Sequence, residues 1–301
     1  MIRSHEMLRV AGRALRLLQD ADRDDVVAYV RGQIQPDGGF RGRATASDLY
    51  YTVFGGSCLL ALNRPPSPLA LRRYLETFGD GADLDFVHQA SLARCWAALA
   101  VPLLPSRRAR ALLPRLERYR ADDGGYGPAA PGSAHGTIYG GFLAFLTYEE
   151  ARLPLPQPDA LLAGVRALRT PDGGYANAPG VAGATTPATA AAILLQQWIA
   201  AAADPAACAA LQSCACDTGG YKASPTAPAP DLLSTGTALF ALHVAGVAPV
   251  AAATAGHLDF VESLWHASGG FCGHAADLLP DCEYTFYGLL TMGACSSGDA
   301  A

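Results

Sequence analysis

Acidic side chains recur where apolar segments of this 301-residue chain begin. They are Asp48, Asp83, Asp85, Asp231, Asp281 and Glu283. Such carboxylates can bind a divalent cation and, through it, a diphosphate, because hard cations prefer oxygen ligands. Aspartate is also a favoured N-cap residue, so each aspartate has a structural alternative at the start of a helix. The candidate catalytic residues are Asp231, Asp281, Glu283 and Tyr284.

The same apolar segments carry many aromatic residues. They include Tyr50, Tyr51, Phe54, Tyr139, Phe142, Phe240, Tyr284, Phe286 and Tyr287. Aromatic faces stabilise carbocations and suit an isoprenoid chain, while the alternative is plain packing between helices. Because a buried tyrosine hydroxyl needs a partner, clustered tyrosines indicate a cavity that holds water or a ligand. The candidate substrate-binding residues in these segments are Tyr50, Tyr51, Phe54, Tyr139 and Tyr287.

Composition excludes several classes of protein. Half of the residues are apolar and 16% are charged, whereas about a quarter charged is usual, so a large buried core is expected. The net charge is −5, and without a basic stripe to neutralise phosphates we expect no nucleic-acid partner. No apolar run reaches the length of a transmembrane segment. The N-terminus lacks a continuous apolar core and a cleavage site, so no signal peptide is expected.

The cysteines do not form a recognisable framework. None of the eight belongs to a CxxC pair, so we interpret them as reduced thiols of a cytoplasmic protein. Cys272, His274, Cys282 and Glu283 lie close in sequence, but their spacing is not that of a standard zinc site. We therefore predict no metal site, with Asp231, Cys282 and His274 as the weak candidates.

A pair of glycines followed by an aromatic residue recurs five times. The aromatic residues are Phe40, Tyr126, Tyr175, Tyr221 and Phe271, which lie 86, 49, 46 and 50 residues apart. The first gap is about twice the others, which indicates a decayed copy near residues 78–81. Six units of 45 to 50 residues follow, and a period of this size predicts a repeat architecture.

Each unit combines an amphipathic helix, the glycine pair, a loop and a helix that is apolar nearly all round. The amphipathic helices are predicted at 24–33, 69–77, 107–120, 159–169, 205–213 and 253–266. The apolar helices are predicted at 48–62, 85–100, 135–146, 186–200, 231–245 and 281–295. Because a helix without a polar face must be buried, the apolar helices should form an inner ring.

We therefore predict an all-α protein with one domain over residues 1–301, an (α/α)6 toroid. A capping helix at 7–21 lies within an N-terminal segment 1–23, six hairpins fill 24–295, and 296–301 is a disordered tail. The alternative is an open superhelical solenoid.

Several runs resemble a known repeat. QPDGGFRG (35–42) and SDLYYTVFGGSCLLAL (47–62) resemble the repeat of protein prenyltransferase β subunits, which squalene and oxidosqualene cyclases share. HGTIYGGFLAFL (135–146), PDLLSTGTALFAL (230–242) and PDCEYTFYGLLTMG (280–293) are similar to it as well. The resemblance covers about residues 24–295 and implies an α/α toroid.

The resemblance also implies site residues, and the chain departs from several of them. The family's zinc ligands are Asp, Cys and His, and the matching positions hold Asp231, Leu233 and Tyr284. His135 matches a histidine that binds the lipid diphosphate, and Lys222 is the one basic residue of the loop that should carry several. The cofactor is left open: two zinc ligands are absent, and magnesium on the acidic rim is the alternative. The acid motif of the cyclases matches residues 83–86, where a phenylalanine replaces the final aspartate.

Two functions follow from these observations. The first is a prenyltransferase-like or terpene-cyclase-like toroid, with a non-standard activity, that binds an isoprenoid diphosphate or similar apolar ligand. The second is a non-catalytic module that pairs with a helical-repeat protein, as β subunits do. A carbohydrate enzyme shares the geometry, but it needs paired carboxylates and tryptophan-lined subsites, and the chain has three tryptophans.

Overall fold

The computed structural model describes residues 3–99, 105–247 and 251–296, which form thirteen α-helices and four very short strands. The helices are α1 (Arg3–Gly12), α2 (Asp20–Gly32), α3 (Leu49–Ala61), α4 (Pro68–Glu76), α5 (Phe86–Ala98), α6 (Arg107–Leu116), α7 (Ile138–Glu150), α8 (Pro158–Ala167), α9 (Thr186–Ala200), α10 (Pro205–Gln212), α11 (Leu232–Val244), α12 (Ala251–Ser263) and α13 (Cys282–Cys295). Short 3-10 turns cover Arg13–Arg16 and Glu117–Tyr119. Of the predicted tail, residues 297–301 lie outside the described residues.

The inner helices α3, α5, α7, α9, α11 and α13 form a closed ring. Each contacts the next, and α13 contacts α3. The outer helices pack against them: α2 on α3, α4 and α6 on α5, α8 on α7 and α9, α10 on α9, and α12 on α13. The predicted all-α toroid is therefore confirmed.

The glycine pairs allow each hairpin to touch the next outer helix. Gly219 has a positive φ of 95°, and a side chain there would lie 1.9 Å from the carbonyl oxygen of Gly256 on α12. Gly269 meets Asp25 on α2 in the same way, at 2.4 Å from its carbonyl oxygen. Only glycine combines this backbone conformation with so close an approach. The last pair thus joins the sixth unit to the first.

The aromatic residue after each glycine pair is an anchor. All five anchors are at most 5% exposed. The backbone N–H of Tyr221 donates to the Thr235 hydroxyl of α11 at 2.9 Å, and Phe271 donates to Thr285 of α13 at 3.2 Å. A threonine on the inner helix therefore satisfies a buried backbone donor of the loop, as buried polar groups require.

The short strands precede two of the inner helices. β1 (Phe40–Arg41) pairs antiparallel with β2 (Ser47–Asp48), with Phe40 opposite Asp48. β3 (Tyr221–Lys222) pairs with β4 (Pro230–Asp231), with Tyr221 opposite Asp231. Each pairing delivers an aspartate to the helix start, where it accepts backbone N–H groups as an N-cap.

The predicted helix over 7–21 is wrong in its bounds. The structure has α1 over Arg3–Gly12 and a 3-10 turn, and α2 already begins at Asp20. At Gly12 the chain passes close to α3, where an added side chain would lie 3.2 Å from the carbonyl oxygen of Ala61. Helix α1 packs against α3, α7 and α13.

Candidate functional site

A cavity of about 920 Å³ occupies the centre of the ring. Side chains of all six inner helices line it, and α1 contributes residues such as Met7 and Leu8. Asn63 and Arg152, which follow α3 and α7, also belong to the wall. Helix α1 therefore covers the cavity near the carboxyl ends of the inner helices, and the opposite mouth is formed by their amino ends.

The wall follows a simple register counted from each N-cap. The caps are Asp48, Asp85, Thr137, Thr185, Asp231 and Asp281. The second residue after the cap lines the mouth in five helices: Tyr50, Tyr139, Pro187, Leu233 and Glu283. The sixth residue forms a middle layer: Phe54, Ser91, Leu143, Ala191, Thr237 and Tyr287. The ninth forms a deep layer: Ser57, Arg94, Leu146, Leu194, Phe240 and Leu290.

This register has a helical origin. Spacings of four and three residues return to one face of an α-helix, so one stripe of each inner helix faces the centre. The residue directly after each cap points away from it and is buried: Leu49, Phe86, Ile138, Thr186, Leu232 and Cys282 are at most 1% exposed. Within the three layers the charged residues are Glu283 and Arg94 alone.

Aromatic rings form one side of the wall. Phe54 lies 5.0 Å from Tyr50, and 5.8 Å from both Phe286 and Tyr287, measured between ring centroids. Across the cavity, Phe142 stacks on Trp198 at 6.1 Å. These contacts hold the rings in place in and behind the wall.

Glu283 is a half-buried acid at the mouth. The hydroxyl of Tyr50 donates a hydrogen bond to its Oε1 at 2.6 Å. Among the described residues, no other side chain or backbone group donates to Glu283. Burial raises the pKa of Glu283 to about 7, with the Tyr50 hydrogen bond acting in the opposite direction and the charge of Asp281 adding to the rise. The carboxyl is therefore protonated below about pH 7, with Oε2 available to a ligand.

Two further tyrosines bring hydroxyls to the same space. Tyr139 and Tyr287 line the cavity, and neither hydroxyl hydrogen-bonds to any residue that the structure describes. Burial raises the pKa of Tyr139 to about 12 and that of Tyr287 well above its ordinary value. Both phenols are thus neutral donors with unused capacity.

An ion pair joins two neighbouring inner helices at the deep end of the cavity. Arg94 of α5 donates from Nε and Nη2 to both carboxylate oxygens of Glu150 on α7, at 3.1 to 3.2 Å. Both residues line the cavity. Sequence analysis did not single out either residue or Ser91, although counting nine residues from the Asp85 cap would have placed Arg94 in the wall.

The predicted catalytic aspartates lie outside the cavity wall. Asp231 accepts the backbone N–H of Ser234 on Oδ1 and its hydroxyl on Oδ2, both at 2.8 Å. Asp281 caps α13 through Tyr284 N and accepts Arg43 Nε at 3.0 Å, and burial raises its pKa. The Tyr284 ring lies under Arg43, 5.5 Å from the guanidinium carbon, and does not line the cavity.

Three predicted binding residues also lie elsewhere. His135 is exposed, with Nδ1 3.6 Å from Asp123 Oδ2. Lys222 lies in β3, where its carbonyl accepts the Thr186 hydroxyl. The Tyr51 ring packs on Gly42. The structure thus brings together Tyr50, Phe54, Tyr139, Tyr287 and Glu283, and separates them from the other candidates.

The residues at the zinc positions do not fit that metal. Both oxygens of Asp231 already accept hydrogen bonds, Leu233 offers no ligand atom, and Tyr284 packs on Gly273. Cys282 is fully buried, and burial raises the pKa of its thiol. His274 lies in a loop, where Nδ1 accepts the N–H of Ala276. Across residues 3–99, 105–247 and 251–296, no three His, Cys, Asp or Glu side chains are grouped to hold a metal ion.

Solved structures show the same fold. The ligand-free type II terpene cyclase MstE from Scytonema is 15% identical, with 91% of this chain and 96% of that chain covered and a TM-score of 0.61. A single-site variant of that enzyme, solved with its substrate geranylgeranyl dihydroxybenzoate, is 15% identical, with 97% of both chains covered and a TM-score of 0.57. A glycosidase is 14% identical, with 97% of both chains covered and a TM-score of 0.54.

In the described part of the chain, no helix is long and apolar enough to cross a bilayer.

The other comparisons concern sequence. No curated protein matches this chain. The family model for the prenyltransferase alpha-alpha toroid domain matches residues 1–196 and 188–299, nearly the entire chain. The chain therefore belongs to the prenyltransferase alpha-alpha toroid family.

Proposed function

We propose that this protein binds an isoprenoid chain in its central cavity and cyclises it by protonating an alkene, with Glu283 as the acid. The observation that carries the proposal is a half-buried carboxyl with a raised pKa at the mouth of an aromatic cavity. Its pKa of about 7 keeps the proton available near neutral pH, and matching a catalytic acid's pKa to the working pH favours proton transfer.

The cavity suits such a ligand. Its volume of about 920 Å³ lies in the range of small-molecule sites. A cyclase of similar fold binds geranylgeranyl dihydroxybenzoate, which is a prenylated compound, and this supports an isoprenoid for the present chain. The missing zinc ligands argue against transfer of a prenyl group to a protein thiol, since that thiol would have no metal to activate it.

The proposed reaction begins at Glu283. Its proton adds to the CH carbon of the chain's terminal alkene, so the O–H bond breaks and the alkene π pair forms a C–H bond. A tertiary cation is left, and a second alkene of the same chain attacks it with its own π pair to close a ring. Loss of a proton from a neighbouring carbon to water gives a neutral isomer of the substrate.

Three features assist these steps. Tyr50 donates to the carboxylate oxygen at 2.6 Å, which stabilises the anion left after proton transfer. Aromatic faces such as Phe54 and Phe240 line the middle and deep layers, where they stabilise a cation electrostatically. The apolar wall limits access of water, which would otherwise trap the cation as an alcohol.

Incubation with geranylgeranyl diphosphate in D2O tests the proposal. We expect an isomer of the substrate that carries one deuterium on carbon and retains its diphosphate, identified by mass spectrometry before and after phosphatase treatment. A product that has already lost the diphosphate would point to ionisation and contradict protonation. Failure to bind or convert geranylgeranyl and farnesyl diphosphates would also contradict the proposal.

A second candidate is a non-catalytic module with a helical-repeat protein partner. Leu278 and Leu279, in the loop before α13, are 78% and 60% exposed, and such side chains suit a protein contact. We expect a native complex to dissociate when both become aspartate, as measured by size-exclusion chromatography. If wild-type protein from its own cell elutes as a monomer, this candidate fails. The cytoplasmic location stays a prediction.

A glycosidase function fits the wall less well. That reaction needs two carboxyl groups beside the scissile bond. Of the glutamates that line the cavity, Glu150 is held by Arg94 through three short donor–acceptor contacts. Glu283 alone is left with an unoccupied oxygen.

A further inference from the structure

We propose that Arg94, with the hydroxyl of Tyr287 in the adjacent middle layer, binds the anionic head group of the isoprenoid ligand. This inference rests on the proposed function and names its substrate class: a prenyl chain that ends in a phosphate or a carboxylate. The neutral end of the chain then lies toward Glu283.

The position of Arg94 is unusual for its layer. The other deep-layer residues are Ser57, Leu146, Leu194, Phe240 and Leu290, none of which is charged. A charge in such an apolar wall is costly unless it is paired. Glu150 offsets part of the cost, but replacing both by apolar residues would serve packing equally well. The pair therefore suggests a role toward a ligand.

Arg94 retains unused donors. A guanidinium carries five N–H groups, and the three hydrogen bonds to Glu150 involve Nε and Nη2. Nη1 donates to no acceptor among the described residues. Because Arg94 lines the cavity, this nitrogen can bind an oxyanion without breaking the Glu150 pair.

Tyr287 lies in the middle layer, next to the layer of Arg94, whereas Tyr139 lies in the mouth layer with Glu283. The hydroxyl of Tyr287 has no protein partner in the described part of the chain. Burial and the charge of Glu283 raise its pKa, and the positive charge of Arg94 opposes the rise. A head-group oxygen between the deep and middle layers would meet donors from two helices, α5 and α13.

The surrounding charge favours an anion over a neutral group. Arg9 and Arg152 also line the cavity, so three arginines face it with two glutamates, Glu150 and Glu283. Because its pKa is raised to about 7, Glu283 is mostly uncharged at pH values well below 7. A neutral prenyl alcohol would use the hydroxyl donors but gain nothing from this positive field.

The spacing of the two sites agrees with the proposed reaction. Glu283 is the second residue after its cap and Arg94 the ninth, so seven residues of helical rise, about 10 Å, separate their layers along the ring axis. A folded prenyl chain held by its head group at the deep layer can present a distant alkene to the acid. The head group is then retained during the reaction.

Three probes distinguish this site from general apolar binding: geranylgeranyl diphosphate, geranylgeranoic acid and geranylgeraniol, measured by calorimetry without magnesium. For Arg94→Met we expect at least tenfold weaker binding of the diphosphate and the acid, with the alcohol within twofold of wild type. For Glu150→Gln we expect tighter binding of both anions. The exposed pair Arg72–Glu76 supplies the control: Arg72→Met should change none of these affinities.

The outcomes separate the two proposals. Equal loss of all three ligands in Arg94→Met would overturn the head-group site while the isoprenoid function stands. Wild-type protein that binds none of the three, the alcohol included, would overturn the isoprenoid function itself. Loss for the diphosphate but not the acid would restrict the site to phosphates. If Arg94→Met fails to fold by circular dichroism, Arg94→Lys, with fewer donors but the same charge, should weaken the anions selectively.

Discussion

Asp231 and Glu283 lie at the amino ends of neighbouring inner helices, yet they do different things. Asp231 is the N-cap of α11, and both its oxygens accept hydrogen bonds from Ser234. Glu283 lies two residues after the cap of α13, faces the cavity and keeps one oxygen without a donor. The corresponding position of α11 is Leu233. A shift of two residues thus separates an acid that holds a helix from an acid that can reach a ligand.

The comparison teaches that register from the cap, more than residue type, decides which acid can do chemistry. N-cap side chains point back at the helix's own N–H groups. The second residue points into the ring in five of the six inner helices. An acid at that position loses its solvation without gaining backbone donors, so its pKa rises.

The largest expected effect is on catalysis. Glu283→Gln keeps the size and the hydrogen bond from Tyr50 but removes the acidic proton. We expect deuterium incorporation to fall by at least about 100-fold, in the range typical for general acids. The measurement is the rate of product formation in D2O with binding of geranylgeranyl diphosphate as the control. An active Gln variant would remove Glu283 from the mechanism.

The second effect is a pH dependence of stability. The pKa of Glu283 rises in the folded state from 4.5 to about 7, so folding favours its protonated form. Its contribution is present below about pH 4.5 and is lost as the pH rises through 7. Relative to Glu283→Gln, wild-type protein should lose up to about 3 kcal/mol of unfolding free energy across that range. Urea unfolding at several pH values measures the difference, and parallel curves would contradict it.

A smaller effect is expected at Asp231. Asp231→Ala removes the cap of α11 and should lower the free energy of unfolding by about 1 kcal/mol. The stability difference across pH 5 to 8 should resemble that of wild-type protein, because Glu283 is untouched. If Asp231→Ala abolished that pH dependence instead, the division between the two acids would be wrong.

The smallest effect is expected at Tyr50. Tyr50→Phe removes the hydrogen bond that lowers the pKa of Glu283, so the pH at which activity is lost should move upward. The rate at low pH should fall by about tenfold or less, since a hydrogen bond to a charged group contributes on the order of 1.5 kcal/mol. A pH–rate profile tests both. A downward shift would contradict the assigned direction.

Much of the fold could be predicted from the sequence because its determinants are local. Glycine pairs, anchoring aromatics and N-cap residues recur at regular intervals in the sequence. Each has a local role: close packing on the next outer helix, anchoring of the loop, or the start of an inner helix. The bounds of the N-terminal helix could not be predicted, since the close approach of Gly12 to α3 is a long-range contact. The chain between α4 and α5, where the repeat has decayed, has no antiparallel bridge among its described residues.

The site was less accessible to sequence reasoning. Tyr50, Tyr139 and Tyr287 were expected to bind substrate, and all three line the cavity. Tyr51 and Tyr284 each follow a cavity-lining residue by one position, and neither lines the cavity. Residue type alone cannot separate such neighbours, whereas alignment of the six caps does. The Arg94–Glu150 pair joins residues 56 positions apart, and no pattern in the sequence around either residue predicts the contact.

The closed ring has a consequence for synthesis of the protein. Tyr50 belongs to the first unit and Glu283 to the last, and their hydrogen bond spans 233 positions. A partly translated or truncated polypeptide that lacks α13 therefore lacks Glu283, and Tyr50 has no partner. The contacts of α13 with α11 and with α3 are also missing, so the ring is open. In the proposed reaction, the cation therefore forms only after the whole ring has closed, so a growing chain would not be exposed to it.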